Sequence, residues 1–371
     1  MIMVIKDRFN QIARISSPTR QIFEEEFLLK RKPVVITDLF NKQPIQEITN
    51  INDIRQRLGE VPILISEGFR PHLVTSQISL DHKPLDKNLC SINQYLDLIN
   101  QKPDIFTLCN ENELPDQIQA LFDTPEYCQF GSIPDDSISR LFIGNARNYA
   151  HLHFDGDFRQ VLFYQVTGSK RIILFPPESA PKLVPHHHWS LVCLEHFTET
   201  EKDAFVAYAG GLQCVLNPGE TLFFPSAVWH YVEYLTTGMS IALRFGRNSY
   251  TQFLSEKLHK DSFIQRIASR MIDERVVQTQ YKAVYDLLEQ AYSQPTNSVS
   301  EKIEQMSAAY QQAWFIMSHE TDRIYQIPIT EFLNRSMSVA DASMYHHTIK
   351  PITQYGGWDW LLSANKIGER T

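Results

Sequence analysis

Residues 161–177 read VLFYQVTGSKRIILFPP, and this stretch decides the fold class. Two apolar runs are separated by a turn signal at Gly168 and are ended by Pro176 and Pro177. Similar short apolar runs, bounded by turn residues, fill the interval from about Phe142 to Phe245. Many short strands at this spacing are typical of a double-sheet jelly roll or a related barrel. We therefore expect a mainly β core.

The segments on either side of this core have a different pattern. Towards the N-terminus, helical and strand patterns alternate, with helix starts predicted at Ser17-Pro18 and at Ser91. After Tyr250 the periodicity is helical again. We expect N-terminal α/β elements in residues 1–127 that pack on the core, the jelly-roll core in 128–250, and a helical region in 251–371. The sequence contains no Gly-x-Gly-x-x-Gly motif or phosphate loop, which disfavours a nucleotide-binding fold.

A candidate metal site lies in NYAHLHFDGDFRQ, residues 148–160. Successive side chains of a strand point to opposite faces, so His153 and Asp155 point to the same face. They supply one imidazole and one carboxylate of the facial triad of two histidines and a carboxylate, which leaves open positions on an Fe(II) ion. The candidate third ligand is His230, which follows Trp229 in NPGETLFFPSAVWHYVEYL, residues 217–235. We expect these three residues to be the metal-binding and catalytic residues.

The His-x-Asp motif is weak evidence by itself, because the chain has 13 histidines. A second copy, His259-Lys260-Asp261, lies in a polar, helix-like stretch in which positions two apart do not face each other. Only the first copy is followed by a strand with a suitably placed lysine. Lys170 is either an ordinary strand-edge lysine or a partner for one carboxylate of a small dicarboxylate cofactor, and we favour the second interpretation.

Composition and charge limit the classes of partner. The hydrophobic fraction of 43% suffices for a buried core, and 43 acidic against 35 basic residues give a net charge of −8. This balance disfavours nucleic acid and anionic membranes, although a local basic groove remains compatible with it. The odd number of cysteines, 5, without a Cys-x-x-Cys pair suits reduced thiols. The first residues are too polar for a secretory signal, so we expect a soluble, cytoplasmic protein.

Four blocks of the sequence together resemble one enzyme family. In chain order they are IGNARNYAHLHFD (143–155), QVTGSKRIILFPP (165–177), NPGETLFFPSAVWHYVEYL (217–235) and SIALRFG (240–246). Over about residues 12–250 the chain looks like the JmjC/cupin-like Fe(II)- and 2-oxoglutarate-dependent oxygenases, especially the asparaginyl-hydroxylase type that acts on hypoxia-inducible factor. The resemblance implies a double-stranded β-helix core, Fe(II) held by His153, Asp155 and His230, and 2-oxoglutarate anchored by Lys170. It also implies O2 as a co-substrate, with ascorbate as a candidate additional cofactor.

The sequence departs from the family pattern after the first two ligands. Lys170 stands slightly further from Asp155 than is usual in the family, which implies a bulge or a longer turn at residues 156–159. An alternative alignment would place Asp155 and Asp157 at the ligand positions and lose the first histidine. The match of the entry segment favours His153.

Two further departures concern contacts to 2-oxoglutarate. Ala150 replaces a threonine that contacts the cosubstrate in many relatives, and Arg244 stands where an asparagine is common. Arg244 and Tyr149 are therefore candidates for the missing polar contact.

The resemblance implies hydroxylation of a C–H bond, which we expect to belong to a protein side chain, coupled to decarboxylation of 2-oxoglutarate to succinate. The alternatives are an N-methyl demethylase, an RNA-base hydroxylase, and a non-oxygenase cupin metal protein such as an isomerase or a sensor. The apolar residues in AVYDLL (283–288) and AWFIM (313–317) would suit a helix–helix contact, so we also expect a homodimer formed by the C-terminal helices.

Overall fold

The structure, a computed structural model, describes most of the chain up to residue 247 and scattered positions beyond it. The described residues are 11–67, 87–103, 107–129, 137–183, 185–186, 189–190, 192, 194–247, 252, 255, 286–287, 290–291, 294–302, 304–305, 308–309 and 312. The second His-x-Asp motif lies outside them. In this part of the chain, no helix is long and apolar enough to cross a membrane.

Within the described residues, the helices are short. They are α1 (Arg20–Phe23), which continues into a π-helical turn (Glu24–Leu28), α2 (Ile51–Leu58), α3 (Ile92–Gln101), α4 (Asp116–Gln119), α5 (Ala180–Leu183) and α6 (Glu199–Ala209), with 3-10 turns at Pro44–Glu47, Glu126–Gln129, Pro177–Ser179 and Leu194–His196. Capping boxes formed by Asn50, Ser91 and Thr198 fix the starts of α2, α3 and α6. The predicted start at Ser91 is confirmed.

The predicted start of the first helix was wrong. Thr19, rather than Ser17, is the N-cap, and its side chain accepts a hydrogen bond from the Ile22 amide. Ser17 instead donates both its amide and its hydroxyl to Asp38. Serine and threonine are both favourable N-cap residues. Because Asp38 binds Ser17, the helix begins after Thr19 instead.

The described strands form two sheets. In chain order they are β1 (Arg14–Ile15), β2 (Val34–Ile36), β3 (Pro62–Glu67), β4 (Lys87–Ser91), β5 (Thr107–Glu113), β6 (Ile138–Gly144), β7 (Tyr149–His153), β8 (Gln160–Thr167), β9 (Lys170–Phe175), β10 (Pro185–His186), β11 (Trp189–Ser190), β12 (Leu212–Leu216), β13 (Thr221–Phe224), β14 (Trp229–Tyr234) and β15 (Gly238–Phe245). The larger sheet has the order β1-β2-β13-β8-β15-β6-β5-β3-β4, and the smaller sheet has the order β10-β11-β7-β14-β9-β12.

The predicted jelly-roll core is confirmed. The strands β6, β8, β13 and β15 lie in the larger sheet, whereas β7, β9, β12 and β14 lie in the smaller one. The chain crosses between the sheets at every step among these eight strands except from β9 to β12, which pair with each other in the smaller sheet. All pairings among these eight strands are antiparallel. This alternation is the topology of a double-stranded β-helix.

The continuous apolar run of β8 is explained by burial on both faces. Every residue of β8 is buried. Val161 and Phe163 belong to a cluster inside the barrel that includes residues of both sheets. Leu162 and Tyr164 belong to a second cluster on the outer face, which the N-terminal helices cover. A strand with two apolar environments does not show the simple alternation of an exposed strand.

The N-terminal elements extend the core rather than standing apart from it. β2 pairs with β13, and β5 pairs with β6, so both join the larger sheet. Near the C-terminus, Lys302 Nζ contacts Glu201 Oε1 of α6 at 2.5 Å. The predicted domain boundaries remain predictions, and most of the region proposed to form a homodimer lies outside the described residues.

Candidate metal centre

The strand register brings two histidines together. β7 and β14 are antiparallel neighbours in the smaller sheet, and His153 lies directly opposite His230. Directly opposed residues have close Cβ atoms and project to the same face of the sheet. The imidazole centroids are 4.2 Å apart. His153 and His230, which are distant in sequence, therefore meet because β7 and β14 pair with each other.

Asp155 completes the cluster just beyond the end of β7. Its Oδ1 atom lies 3.7 Å from Nε2 of His153 and 3.9 Å from Nε2 of His230. The three ligand atoms all lie within 4.8 Å of one another, and within the described part of the chain these residues form the cluster with metal-binding geometry. The structure therefore assembles the predicted His153, Asp155 and His230 set.

Backbone carbonyls orient both imidazoles. His153 Nδ1 donates to the carbonyl of His151 at 2.6 Å, and His230 Nδ1 donates to the carbonyl of Val228 at 3.1 Å. Each contact assigns the proton to Nδ1 and leaves the Nε2 lone pair directed at the cluster. Such outer partners are the usual means of fixing a ligating histidine.

The protonation states at the cluster suit a metal ion. Burial, together with neighbouring His153, lowers the pKa of His230 to about 4. Burial alone would raise the pKa of the Asp155 carboxyl, but Arg244 and the two imidazoles hold it well below its usual range. Near neutral pH the cluster therefore offers a neutral imidazole at His230 and a carboxylate at Asp155, the states that metal binding requires.

A tight turn accommodates the longer spacing after Asp155. The Phe158 amide donates to the carbonyl of Asp155 at 3.1 Å, and Phe158 adopts a φ of 55° with its side chain buried. Asp157, the ligand in the alternative alignment, instead accepts from Arg159 Nη1 at 2.9 Å. The extra length thus lies in a turn that keeps His153 in the cluster.

A cavity of about 150 Å³ adjoins the cluster and reaches Lys170. Lys170 is 1% exposed, and its Nζ atom has no hydrogen-bond partner. The ammonium lies 3.9 Å from the ring centroid of Tyr234 and 4.7 Å from that of Phe163. Burial holds the pKa of Lys170 well below its usual value. An unpaired buried amine facing a cavity is a suitable partner for a carboxylate ligand.

The other two predicted contacts also line the cavity. Tyr149, on β7, stacks near Tyr231 with a centroid separation of 6.3 Å. Arg244, on β15 of the opposite sheet, lies beside Asp155, with Nη2 3.4 Å from Oδ1. Its Nε atom is buried and without a hydrogen-bond partner. Direct contact of Tyr149 or Arg244 with 2-oxoglutarate remains a prediction.

Sequence reasoning missed Glu111. This residue lines the cavity and binds Arg244 through both carboxylate oxygens, at 3.0 and 2.5 Å. It lies at an irregularity in the β5–β6 register and has a φ of 54°. The polar run CNENE, residues 109–113, was the available signal, because such a run is unusual for a strand inside a sheet.

Comparison with known proteins identifies the fold family. The profile described as "Cupin-like domain" matches residues 19–245. The chain is 27% identical to "Lysine-specific demethylase 8" of Danio rerio over 247 residues, which cover 62% of this chain and 57% of the relative. It is 30% identical to "Jumonji C domain-containing protein 5" of Drosophila melanogaster over 247 residues, covering 62% and 59%. It is 26% identical to "JmjC domain-containing protein D" of Dictyostelium discoideum over 262 residues, covering 64% and 57%.

The chain thus spans a little over half the length of these curated relatives. Together with the three-ligand cluster, the match confirms the expected cofactors, Fe(II) with 2-oxoglutarate. It does not single out the asparaginyl-hydroxylase type among JmjC proteins.

Proposed function

Because the chain belongs to the cupin-like domain family, we propose that it is an Fe(II)- and 2-oxoglutarate-dependent oxygenase that hydroxylates a C–H bond of a protein side chain. One observation carries this proposal. A two-histidine, one-carboxylate cluster opens onto the same cavity as a buried lysine whose amine has no hydrogen-bond partner. This donor set leaves metal positions available, and the amine supplies a separate site for an anionic ligand.

The residues present fit both cofactors. His153, Asp155 and His230 would hold the metal from one side, and Lys170 would pair with a carboxylate of 2-oxoglutarate. Bound together, Fe(II) and 2-oxoglutarate supply O2 activation coupled to decarboxylation to succinate. The unsatisfied Nζ of Lys170 is the strongest sign of fit, because a buried amine without a partner costs free energy unless a ligand provides one.

The chain itself contributes position and water exclusion. The carbonyls of His151 and Val228 keep both Nε2 atoms aimed at one point. Phe224 packs against the ring of His230 at a centroid distance of 4.9 Å, and Phe163 lines the route to Lys170. An apolar wall of this kind strengthens the charge interactions within the cavity.

A second candidate within the same chemistry is an N-methyl demethylase. The observation that favours it is the name of the zebrafish relative, "Lysine-specific demethylase 8". Hydroxylation of an N-methyl group gives an unstable product, so the same cluster would serve both reactions. The donor set is the same for both reactions, so the substrate distinguishes them.

The first test is iron-dependent turnover of 2-oxoglutarate. We expect the purified full chain with Fe(II), O2 and ascorbate to produce succinate, and His153→Ala to reduce the rate at least about a hundredfold, as expected for loss of a metal ligand. His259→Ala, the same change in the other His-x-Asp motif, is the matched control and should retain activity. Absence of iron-dependent decarboxylation in the unmodified chain would refute the oxygenase proposal.

The second test separates the two reactions. Peptide pools with and without methylated lysine or arginine are incubated with the active chain and analysed by mass spectrometry. Gain of one oxygen without formaldehyde supports the hydroxylase, whereas formaldehyde release from methylated peptides supports the demethylase. The His153→Ala chain shows which products require the metal.

A further inference from the structure

Arg244 lies in direct contact with the carboxylate of the metal cluster. Its Nη2 atom is 3.4 Å from Asp155 Oδ1, the same oxygen that faces the two imidazoles. An arginine guanidinium keeps its positive charge at all accessible pH values. Any divalent ion bound by Asp155 must therefore lie close to a fixed positive charge, and the two repel each other.

Glu111 offsets part of that charge. It accepts hydrogen bonds from both Nη atoms of Arg244, whereas Asp157, 3.8 Å from Arg244, is also engaged by Arg159. The guanidinium is thus shared between a metal ligand, Asp155, and a carboxylate at the edge of the cavity, Glu111. Changing either Arg244 or Glu111 changes the charge that a metal ion would experience, with opposite signs.

Two basic side chains that line the cavity have unused hydrogen-bond donors. These are Nζ of Lys170 and Nε of Arg244. The fixed charge of Arg244 opposes binding of a metal ion alone and favours binding of a dianion, for which both groups supply donors. When both bind, the dianion offsets the repulsion between the metal ion and Arg244.

We propose that Arg244 makes binding of the metal and binding of the dianionic cosubstrate depend on each other, and that Glu111 sets the strength of this dependence. The inference rests on the proposed function in so far as the dianion is 2-oxoglutarate. Arg244 is then a positioning residue that weakens binding of the metal alone and strengthens binding of the pair. Because such coupling is reciprocal, each ligand must tighten the other by the same factor.

The experiment measures binding rather than turnover. The dissociation constant of Mn(II) is determined by electron paramagnetic resonance, without and with saturating N-oxalylglycine, an unreactive 2-oxoglutarate analogue. The dissociation constant of the analogue is determined on the Mn(II)-loaded protein. The variants are Arg244→Met, Arg244→Lys and Glu111→Gln.

Arg140→Met is the matched control. Within the described residues, Arg140 forms ion pairs with Glu111 and Glu113, at 3.8 and 3.9 Å. The substitution therefore removes the same charge, and also a partner of Glu111, from β6, the strand that pairs with β15 of Arg244. We expect it to leave both constants within about twofold, because the lost charge is more exposed and better screened.

Arg244→Met should tighten Mn(II) alone by about tenfold or more and weaken the analogue by a similar factor, which reduces the coupling. Glu111→Gln should do the opposite, weakening Mn(II) alone and tightening the analogue. Arg244→Lys retains the charge and should keep Mn(II) binding within about threefold of the original.

Weaker Mn(II) binding in Arg244→Met, or changes of the same sign in Arg244→Met and Glu111→Gln, would overturn the inference. If Arg244→Met does not fold, the sign of the Glu111→Gln effect decides the matter by itself. An unmodified chain that binds Mn(II) and the analogue but shows no coupling would overturn the inference and leave the oxygenase proposal intact. An unmodified chain that lacks iron-dependent decarboxylation refutes the oxygenase proposal separately.

Discussion

Replacing Lys170 by methionine should stabilise the protein in the absence of cosubstrate and remove the stabilisation that 2-oxoglutarate provides. Lys170 is 1% exposed, and its amine has no hydrogen-bond partner. Methionine fills a similar volume and makes favourable contacts with aromatic rings. The substitution therefore keeps the packing and removes the unsatisfied polar group.

The expected gain follows from these contacts. A buried polar group without a partner costs about 1–3 kcal/mol, and a charged group costs more. The rings of Tyr234, Phe163 and Phe142, with centroids 3.9, 4.7 and 5.8 Å from Nζ, offset part of this cost through cation–π attraction. We expect a net increase of about 2 kcal/mol in the free energy of unfolding at pH 7 for Lys170→Met.

The gain should also depend on pH. Burial lowers the pKa of Lys170 in the folded chain well below its usual value of 10.5, which the lysine keeps in the unfolded chain. Between these two pKa values the unfolded state binds more protons, so the stability of the unmodified protein rises with pH. The advantage of Lys170→Met should be largest below the lowered pKa and should shrink as pH approaches 10.5.

Urea denaturation of the Mn(II)-loaded protein, with and without 2-oxoglutarate, measures both effects. At about a hundred times its dissociation constant, 2-oxoglutarate should stabilise the unmodified chain by about 2.7 kcal/mol and Lys170→Met by less than about 0.5 kcal/mol. Lys30→Met, at an exposed lysine whose ion pair with Glu26 lies on the surface, is the control and should change stability by less than about 0.5 kcal/mol. The reasoning is refuted if Lys170→Met is less stable without cosubstrate, or if 2-oxoglutarate stabilises both chains equally.

Three further substitutions test the support of the site. Arg31 donates to the carbonyl and the hydroxyl of Ser226, in the turn whose Val228 carbonyl orients His230. Arg31→Met should therefore lower the free energy of unfolding by about 1–3 kcal/mol and weaken Mn(II) binding severalfold. Lys30→Met, at the exposed neighbouring residue, should have neither effect. Arg171 is bound by Glu199, Asp203 and Gln213. Arg171→Met should lower the free energy of unfolding, measured by denaturation, by about 3–5 kcal/mol but leave the Mn(II) affinity within about twofold. A large loss of Mn(II) affinity would contradict the separation of this network from the metal centre. A Cβ atom on Gly238 would lie 2.1 Å from the Thr167 carbonyl oxygen. Gly238→Ala should therefore lower the free energy of unfolding by at least about 2 kcal/mol, whereas Gly210→Ala, where only the backbone conformation is unfavourable, should lower it by about 1 kcal/mol. Equal shifts in melting temperature for the two variants would argue against the steric cause.

Local patterns together indicated the three residues of the cluster that the structure assembles. His153 and Asp155 are two residues apart, which is the side-chain period of a strand. The turn residues near His230 indicate the end of another strand. Lys170 follows a clear turn at Gly168. Each of these signals lies within a few residues of the feature that it predicts, so it is visible before the fold is known.

The supporting contacts were not predictable, because they depend on strand pairing between distant segments. Glu111 reaches Arg244 only because the β5–β6 register is irregular. Arg31 reaches Ser226 because β2, which follows Arg31, pairs with β13, which precedes Ser226. Local sequence patterns do not show these registers, so they did not predict either contact.

The direct pairing of His153 with His230 also determines when the metal centre forms during folding. The two strands are neighbours in space but distant in sequence, and such contacts form late because a long loop must first be closed. A metal ion would then find its full ligand set only after the barrel has closed. We expect bound metal to slow unfolding while leaving the folding rate nearly unchanged, because it stabilises an interaction absent from the transition state. Stopped-flow folding and unfolding with and without Mn(II) would show this as a shift confined to the unfolding arm.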